Sequence, residues 1–163
     1  MKKEELTYDE MIFMYQFLSH FKTDADILET RVQMIKIYDN LISKCGHIKA
    51  MRKMVLSTYK DFFYGKSKYL SDAILESWLY PVLKTHLGLI KPTKIQTNET
   101  VTPRICAICG KEIKGEVHFD HKWPYSLFFD YLGDDNIFAT CKECNIAKKD
   151  SPPKPDYGKV CKR

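Results

Sequence analysis

Apolar positions in the first ninety residues recur at helical spacing. Thr7 followed by Glu10 forms a capping-box pair ahead of Met11-Ile12-Phe13-Met14-Tyr15, Phe17, Leu18 and Phe21. That pattern predicts a helix apolar around most of its circumference, which implies deep burial or a subunit contact. Thr23 or Asp24 offers the cap of a second helix. Its stripe of Ile27, Leu28, Val32, Ile35, Leu41 and Ile42 stops at Gly46. The stretch 47–63 is amphipathic, with Met51, Met54, Val55, Tyr59 and Phe62 on one side and Lys49, Lys53 and Lys60 on the other. Leu56 falls among the lysines. Ser71 and Asp72 suit the start of a fourth helix reaching about Leu87, in which Pro81 predicts a kink or a split.

The pattern changes after residue 90. Residues 91–104, KPTKIQTNETVTPR, are polar and bounded by Pro92 and Pro103, as in a linker or an extended arm. Residues 151–163, SPPKPDYGKVCKR, hold three prolines and no apolar period, and read as a flexible tail unless docked. Four parts are therefore expected: a helical region over 1–90, a linker over 91–104, a module over 105–150 and the tail.

Composition narrows the class. A chain of 163 residues, 44% hydrophobic and 29% charged, can bury one substantial core plus a small unit held by something other than packing. No run of about 18 apolar residues implies a membrane span. The charged start MKKEELTYDE lacks an apolar signal core, so a cytoplasmic location is expected. The net charge of +5 leans toward an anionic partner. It concentrates at 44–68, where Lys44, Lys49, Arg52, Lys53, Lys60, Lys66 and Lys68 face the single acid Asp61.

The cysteines carry the first chemistry. Cys45 and Cys161 stand apart, but Cys106/Cys109 and Cys141/Cys144 are two Cys-x-x-Cys pairs. Such spacing suits tetrahedral zinc better than disulfides. Four thiolates close the coordination sphere, so this Zn2+ is expected to be structural. The gap between the pairs exceeds that of a plain zinc ribbon. It holds Val117-His118-Phe119-Asp120-His121, which reads as a short strand ended by Trp123-Pro124, and then Asp134-Asp135-Asn136. Asn145 follows the second pair directly, with Lys148 and Lys149 on the helix expected there.

Cys106/Cys109, Asp120-His121, Pro124, Asn136, Cys141/Cys144, Asn145 and Lys148, in this order, resemble the HNH endonuclease family. The resemblance covers residues 106–150; the first 95 residues resemble no family. It implies two antiparallel strands and a helix around one divalent ion, Mg2+ or another such as Mn2+. Asp120 and Asn145 are then its ligands, His121 the general base, and Asn136 a structural residue that orients His121. Asn145 departs from the histidine many members carry there, which bears on the choice of metal. Lys148 and Lys149 are expected to contact phosphate, with His118, Lys49, Lys53 and Lys60 as further nucleic-acid contacts.

The fold expected is α+β: a mostly helical N-terminal region and a C-terminal ββα-metal module stapled by a four-cysteine zinc site. The function implied is metal-dependent hydrolysis of DNA, double-stranded rather than RNA, by nicking or double-strand cleavage. The alternative is a zinc-dependent nucleic-acid-binding or complex-forming protein with an inactive module. The N-terminal helices could also form a homodimer or dock the chain in a larger complex.

Overall fold

In the computed structural model, residues 6–64, 74, 78–92 and 104–159 are described. Lys66, Lys68, Ser71, Asp72, Cys161 and most of the expected linker (93–103) lie outside the described residues. The chain divides into two units between Lys91 and Pro92.

In the first unit, α1 (Tyr8–Asp26) starts at the expected capping box: Thr7 accepts from the Glu10 amide and Glu10 accepts from the Thr7 amide. Its Met11, Phe13, Met14, Phe17, Leu18 and Phe21 are buried, as their spread around the helix predicts. Thr23 and Asp24 do not cap a second helix. Thr23 Oγ1 donates to the Ser19 carbonyl, and Asp24 accepts from the Tyr59 hydroxyl at 2.7 Å, so α1 continues past both.

The next helix, α2 (Leu28–Cys45), ends at Gly46, whose φ of 80° suits glycine. The face it buries differs from the expected stripe. Met34 and Tyr38 are buried, whereas Ile27, Leu28 and Val32 are exposed. Tyr38 can enter the core because its hydroxyl meets His47 Nδ1 at 3.2 Å and the Tyr80 hydroxyl at 3.0 Å.

The amphipathic stretch forms α3 (His47–Thr58) and α4 (Lys60–Phe63), broken at Tyr59. Met51, Met54 and Val55 turn inward, while Lys49, Lys53, Lys60 and Leu56 are exposed. Phe17 gathers Tyr59, Phe62 and Phe63 around it at 5.3–5.9 Å between ring centroids. Pro81 lies in the first turn of α5 (Tyr80–His86), where a missing N–H costs little.

In the second unit, β1 (His118–His121) pairs antiparallel with β2 (Ile137–Thr140), placing His118 opposite Thr140 and Asp120 opposite Phe138. Pro124 follows β1 and leads into α6 (Tyr125–Phe128), and a turn of 3-10 helix over Asp134–Asn136 returns the chain to β2. The last helix, α7 (Lys142–Lys148), starts at Cys141 and packs on β1. Cys106, Ile113 and Ala139 form a small core, with Ile108, Val117, Cys141 and Cys144 against it. The fold is α+β. Among the described residues no helix is long and apolar enough to cross a membrane.

Residues 151–159 are docked, the case in which the sequence does not imply a flexible tail. Pro153 and Tyr157 are buried, and the Gly158 amide donates to the Ala107 carbonyl at 2.9 Å. The segment docks because Tyr157 has an apolar ring to bury against Phe138 and a hydroxyl partner within reach.

Candidate functional site

The two cysteine pairs converge. The four Sγ atoms of Cys106, Cys109, Cys141 and Cys144 lie within 4.8 Å of one another. Gly110 closes the first knuckle with φ 74°, its amide donating to the Cys106 carbonyl at 2.9 Å. Burial pushes the Cys106 thiol up, but backbone amides of Cys109, Cys141 and Ile108 prevail and bring it down to about 7. Burial and the neighbouring sulfurs push Cys144 well above the ordinary thiol range. One thiolate thus forms readily and opposes the ionisation of its neighbours. A soft divalent cation held by all four reverses that opposition, so the donor set fits Zn2+.

Of the other predicted residues, His118, Asp120, His121, Asn145 and Lys148 lie on β1 and α7. Successive strand side chains alternate, so His118 and Asp120, two apart on β1, share one face. Asn145 and Lys148, three apart on α7, lie on the helix side that meets β1. Asn145 Nδ2 donates to His118 Nδ1 at 3.3 Å, which leaves the amide Oδ1 for another partner. His118 Nε2 lies 3.7 Å from Glu116 Oε2 and is buried without a hydrogen bond among the described residues.

Asp120 is 8% exposed. Its Oδ2 accepts from the Tyr157 hydroxyl at 2.7 Å and lies 3.3 Å from Lys148 Nζ. Both contacts fall on one oxygen. Asp120 Oδ1 and Asn145 Oδ1 are hard oxygen donors, the kind that suits Mg2+ or Mn2+ and not a second zinc-thiolate centre.

His121 packs on the Tyr125 ring at 5.3 Å between centroids. Its Nε2 is buried and makes no hydrogen bond among the described residues. Burial holds its pKa below the ordinary histidine value despite the opposing pull of Asp120 and Asp130. The ring is therefore neutral near pH 7, with a nitrogen available to a further partner.

Asn136 is buried and pairs its side-chain amide with one residue's backbone. Its Oδ1 accepts from the Trp123 amide at 2.8 Å, and its Nδ2 donates to the Trp123 carbonyl at 2.9 Å. The Lys122 amide donates to the Asn136 carbonyl at 2.7 Å. These bonds fix the chain directly after His121.

The lysines separate. Lys148 turns inward, with a side chain only 8% exposed whose Nζ also donates to the His121 carbonyl at 3.0 Å. A phosphate contact expects it in solvent; here it reaches Asp120 instead. Lys149 is exposed at the end of α7, and Lys49, Lys53 and Lys60 belong to the helical unit. Sequence reasoning missed Tyr157. Its one signal was a lone aromatic within a proline-rich segment.

Neither a curated protein nor a solved structure matches the chain. A family model described as HNH endonuclease matches residues 106–151, the segment that holds both cysteine pairs, β1, β2 and α7. By that match, residues 106–151 form a domain of the HNH endonuclease family.

Proposed function

We propose that this chain is a metal-dependent endonuclease that hydrolyses DNA phosphodiester bonds, with His121 as general base and Asp120 and Asn145 as ligands of one divalent ion, Mg2+ or Mn2+. The observation that carries the reading is the buried, unpartnered Nε2 of a neutral His121, next in sequence to the carboxylate that α7 covers. A base needs its lone pair free and its pKa at or below the working pH.

A hard cation held by Asp120 and Asn145 would supply charge relief at the phosphate and the departing oxygen. The protein's own groups account for the rest. His121 Nε2 takes the proton of the attacking water, while the Tyr125 ring packs on the imidazole and the Asn136–Trp123 pairing holds the backbone that follows it. Exposed Lys149 contacts a neighbouring phosphate as a point charge. Lys49, Lys53 and Lys60 add a sequence-independent grip that weakens with salt. The substrate is duplex DNA, and the products carry 5′-phosphate and 3′-hydroxyl ends. One base and one ion cut one strand at a time, so nicking precedes any double-strand break.

The test is supercoiled plasmid incubated with the zinc-loaded protein and Mg2+, Mn2+ or EDTA, beside His121→Ala. Nicking that needs the divalent ion and disappears in the variant is expected. Cleavage that survives His121→Ala removes it as the base. Retention of DNA without cleavage under any metal leaves a nucleic-acid-binding module with an inactive site.

A further inference from the structure

We infer that Tyr157, six residues beyond the family-matched segment, is a positioning residue for Asp120, carried into the site by the docked strap 151–159. This rests on the reading of Asp120 as a ligand of the divalent ion.

The strap's course explains why the hydroxyl arrives where it does. Pro152, Pro153 and Pro155 restrict the backbone of the approach, and Pro153 is buried. The Tyr157 amide donates to the Lys154 carbonyl at 3.0 Å, which turns the chain back toward the sheet. Gly158 then ties to Ala107 inside the first cysteine pair, and the Ala107 amide donates to the Ala139 carbonyl on β2 at 3.0 Å. Strap, zinc knuckle and strand are thus joined through two consecutive backbone bonds.

The ring makes the second half of the seat. Tyr157 meets Phe138 edge-on, with centroids 5.2 Å apart and planes at 83°. Phe138 is the cross-strand partner of Asp120. A tyrosine standing on that ring therefore reaches the carboxylate beside it. Lys122 and Lys148 lie over the Tyr157 ring at 5.9 and 5.8 Å, within cation–π range.

The chemical consequence follows from which oxygen is taken. A carboxylate's terminal torsion is soft, so Asp120 alone would sample a broad range of orientations. An O–H donor at 2.7 Å is a strong, directional bond to an ionised acceptor. Tyr157 and Lys148 both engage Oδ2, which leaves Oδ1 to the cation and selects one carboxylate orientation before it binds.

Tyr157→Phe removes the hydroxyl and keeps the ring on Phe138. Gly158→Ala is an independent way to move it: an added Cβ would lie 2.9 Å from the Phe138 ring, at a residue with φ +80°. Binding of Mn2+ to the zinc-loaded chain is followed by electron paramagnetic resonance, with Asp120→Asn marking the site. Both strap variants are expected to weaken Mn2+ binding by about 10-fold or more, the usual effect of removing a group that orients a ligand. The Mg2+ concentration for half-maximal nicking rises in parallel while KM for DNA stays unchanged. A merely structural role would lower the melting temperature and leave the Mn2+ affinity of the folded protein unmoved.

Mn2+ affinity within about twofold of wild type in both folded variants overturns the assignment, as does a wild-type chain that binds no Mn2+ at the Asp120 site. Faster nicking by Tyr157→Phe with unchanged Mn2+ affinity would make the strap a latch and overturn it too. A wild-type chain that cuts nothing, yet binds Mn2+ more tightly than both variants, defeats the nuclease reading while the role of Tyr157 stands.

Discussion

Asn136→Ala tests whether that residue is structural, because its side chain does one identifiable thing. Asn136 is 4% exposed and satisfies both the N–H and the C=O of Trp123, at 2.8 and 2.9 Å. Alanine leaves both backbone groups without that partner in a buried place, and each orphan costs about 1–3 kcal/mol. A water entering the space of the lost amide would relieve part of this. The expected loss is therefore about 2–5 kcal/mol for the second unit. Asn136→Asp should cost at least as much, since it keeps one acceptor but turns a second oxygen toward the Trp123 carbonyl and buries a charge.

The protein's two tryptophans permit a local readout. In a Trp78→Phe background, the emission of buried Trp123 reports on the second unit alone. With a urea slope of about 1 kcal/mol/M, the midpoint falls by about 2 M or more, or the unit is unfolded without denaturant. Far-ultraviolet circular dichroism of the helical unit is expected to hold. A midpoint shift below about 0.5 M, the size of a surface substitution, would refute the reasoning and return Asn136 to the candidates for direct chemistry.

Stripping zinc with a strong chelator is expected to unfold the second unit and redshift Trp123, because three of the four converging cysteines lie in or against its small core; the helical signal largely survives. Unchanged Trp123 emission after complete removal would count against a structural metal. In the helical unit, burial and the bond to Asp24 push the Tyr59 hydroxyl far above its ordinary pKa. The unfolded chain therefore loses this proton first, so the contribution is complete below about pH 10 and declines as pH rises through the tyrosine range. Urea midpoints by circular dichroism should fall above that pH, and Tyr59→Phe should flatten the fall; equal slopes in both proteins would reject the assignment.

What was legible in the sequence was local. The capping box of Thr7 and Glu10 acts within one turn. The glycine at 110 serves the knuckle that contains it, and the alternation in His118–His121 needs only a strand to express it. The order of Asp120, His121, Asn136 and Asn145 was readable because short elements return the chain at fixed spacing. Distant partners were not. Asp24 looks like a helix cap until Tyr59, 35 residues on, takes its carboxylate. Tyr157 looks like a tail residue until Asp120, 37 residues back, takes its hydroxyl. Lys148 lies buried beside Asp120, whereas a lysine is ordinarily in water. Its position three residues after Asn145 places both on the side of the helix that meets β1.

The segment that carries the family pattern is smaller than the unit that makes the site. Strands of four residues and a helix of seven have little stability alone, so their order must come from ties between them. The cysteines tie the two ends of the matched segment together. Gly158 to Ala107 and Ala107 to Ala139 then join the strap, the knuckle and β2. Asp120 accepts from a residue outside the pattern, and the Asn136–Trp123 pairing within it holds the backbone two residues after His121. Each of these supports reaches its target through one or two hydrogen bonds. Such supports leave no signature at the spacing by which the motif is read.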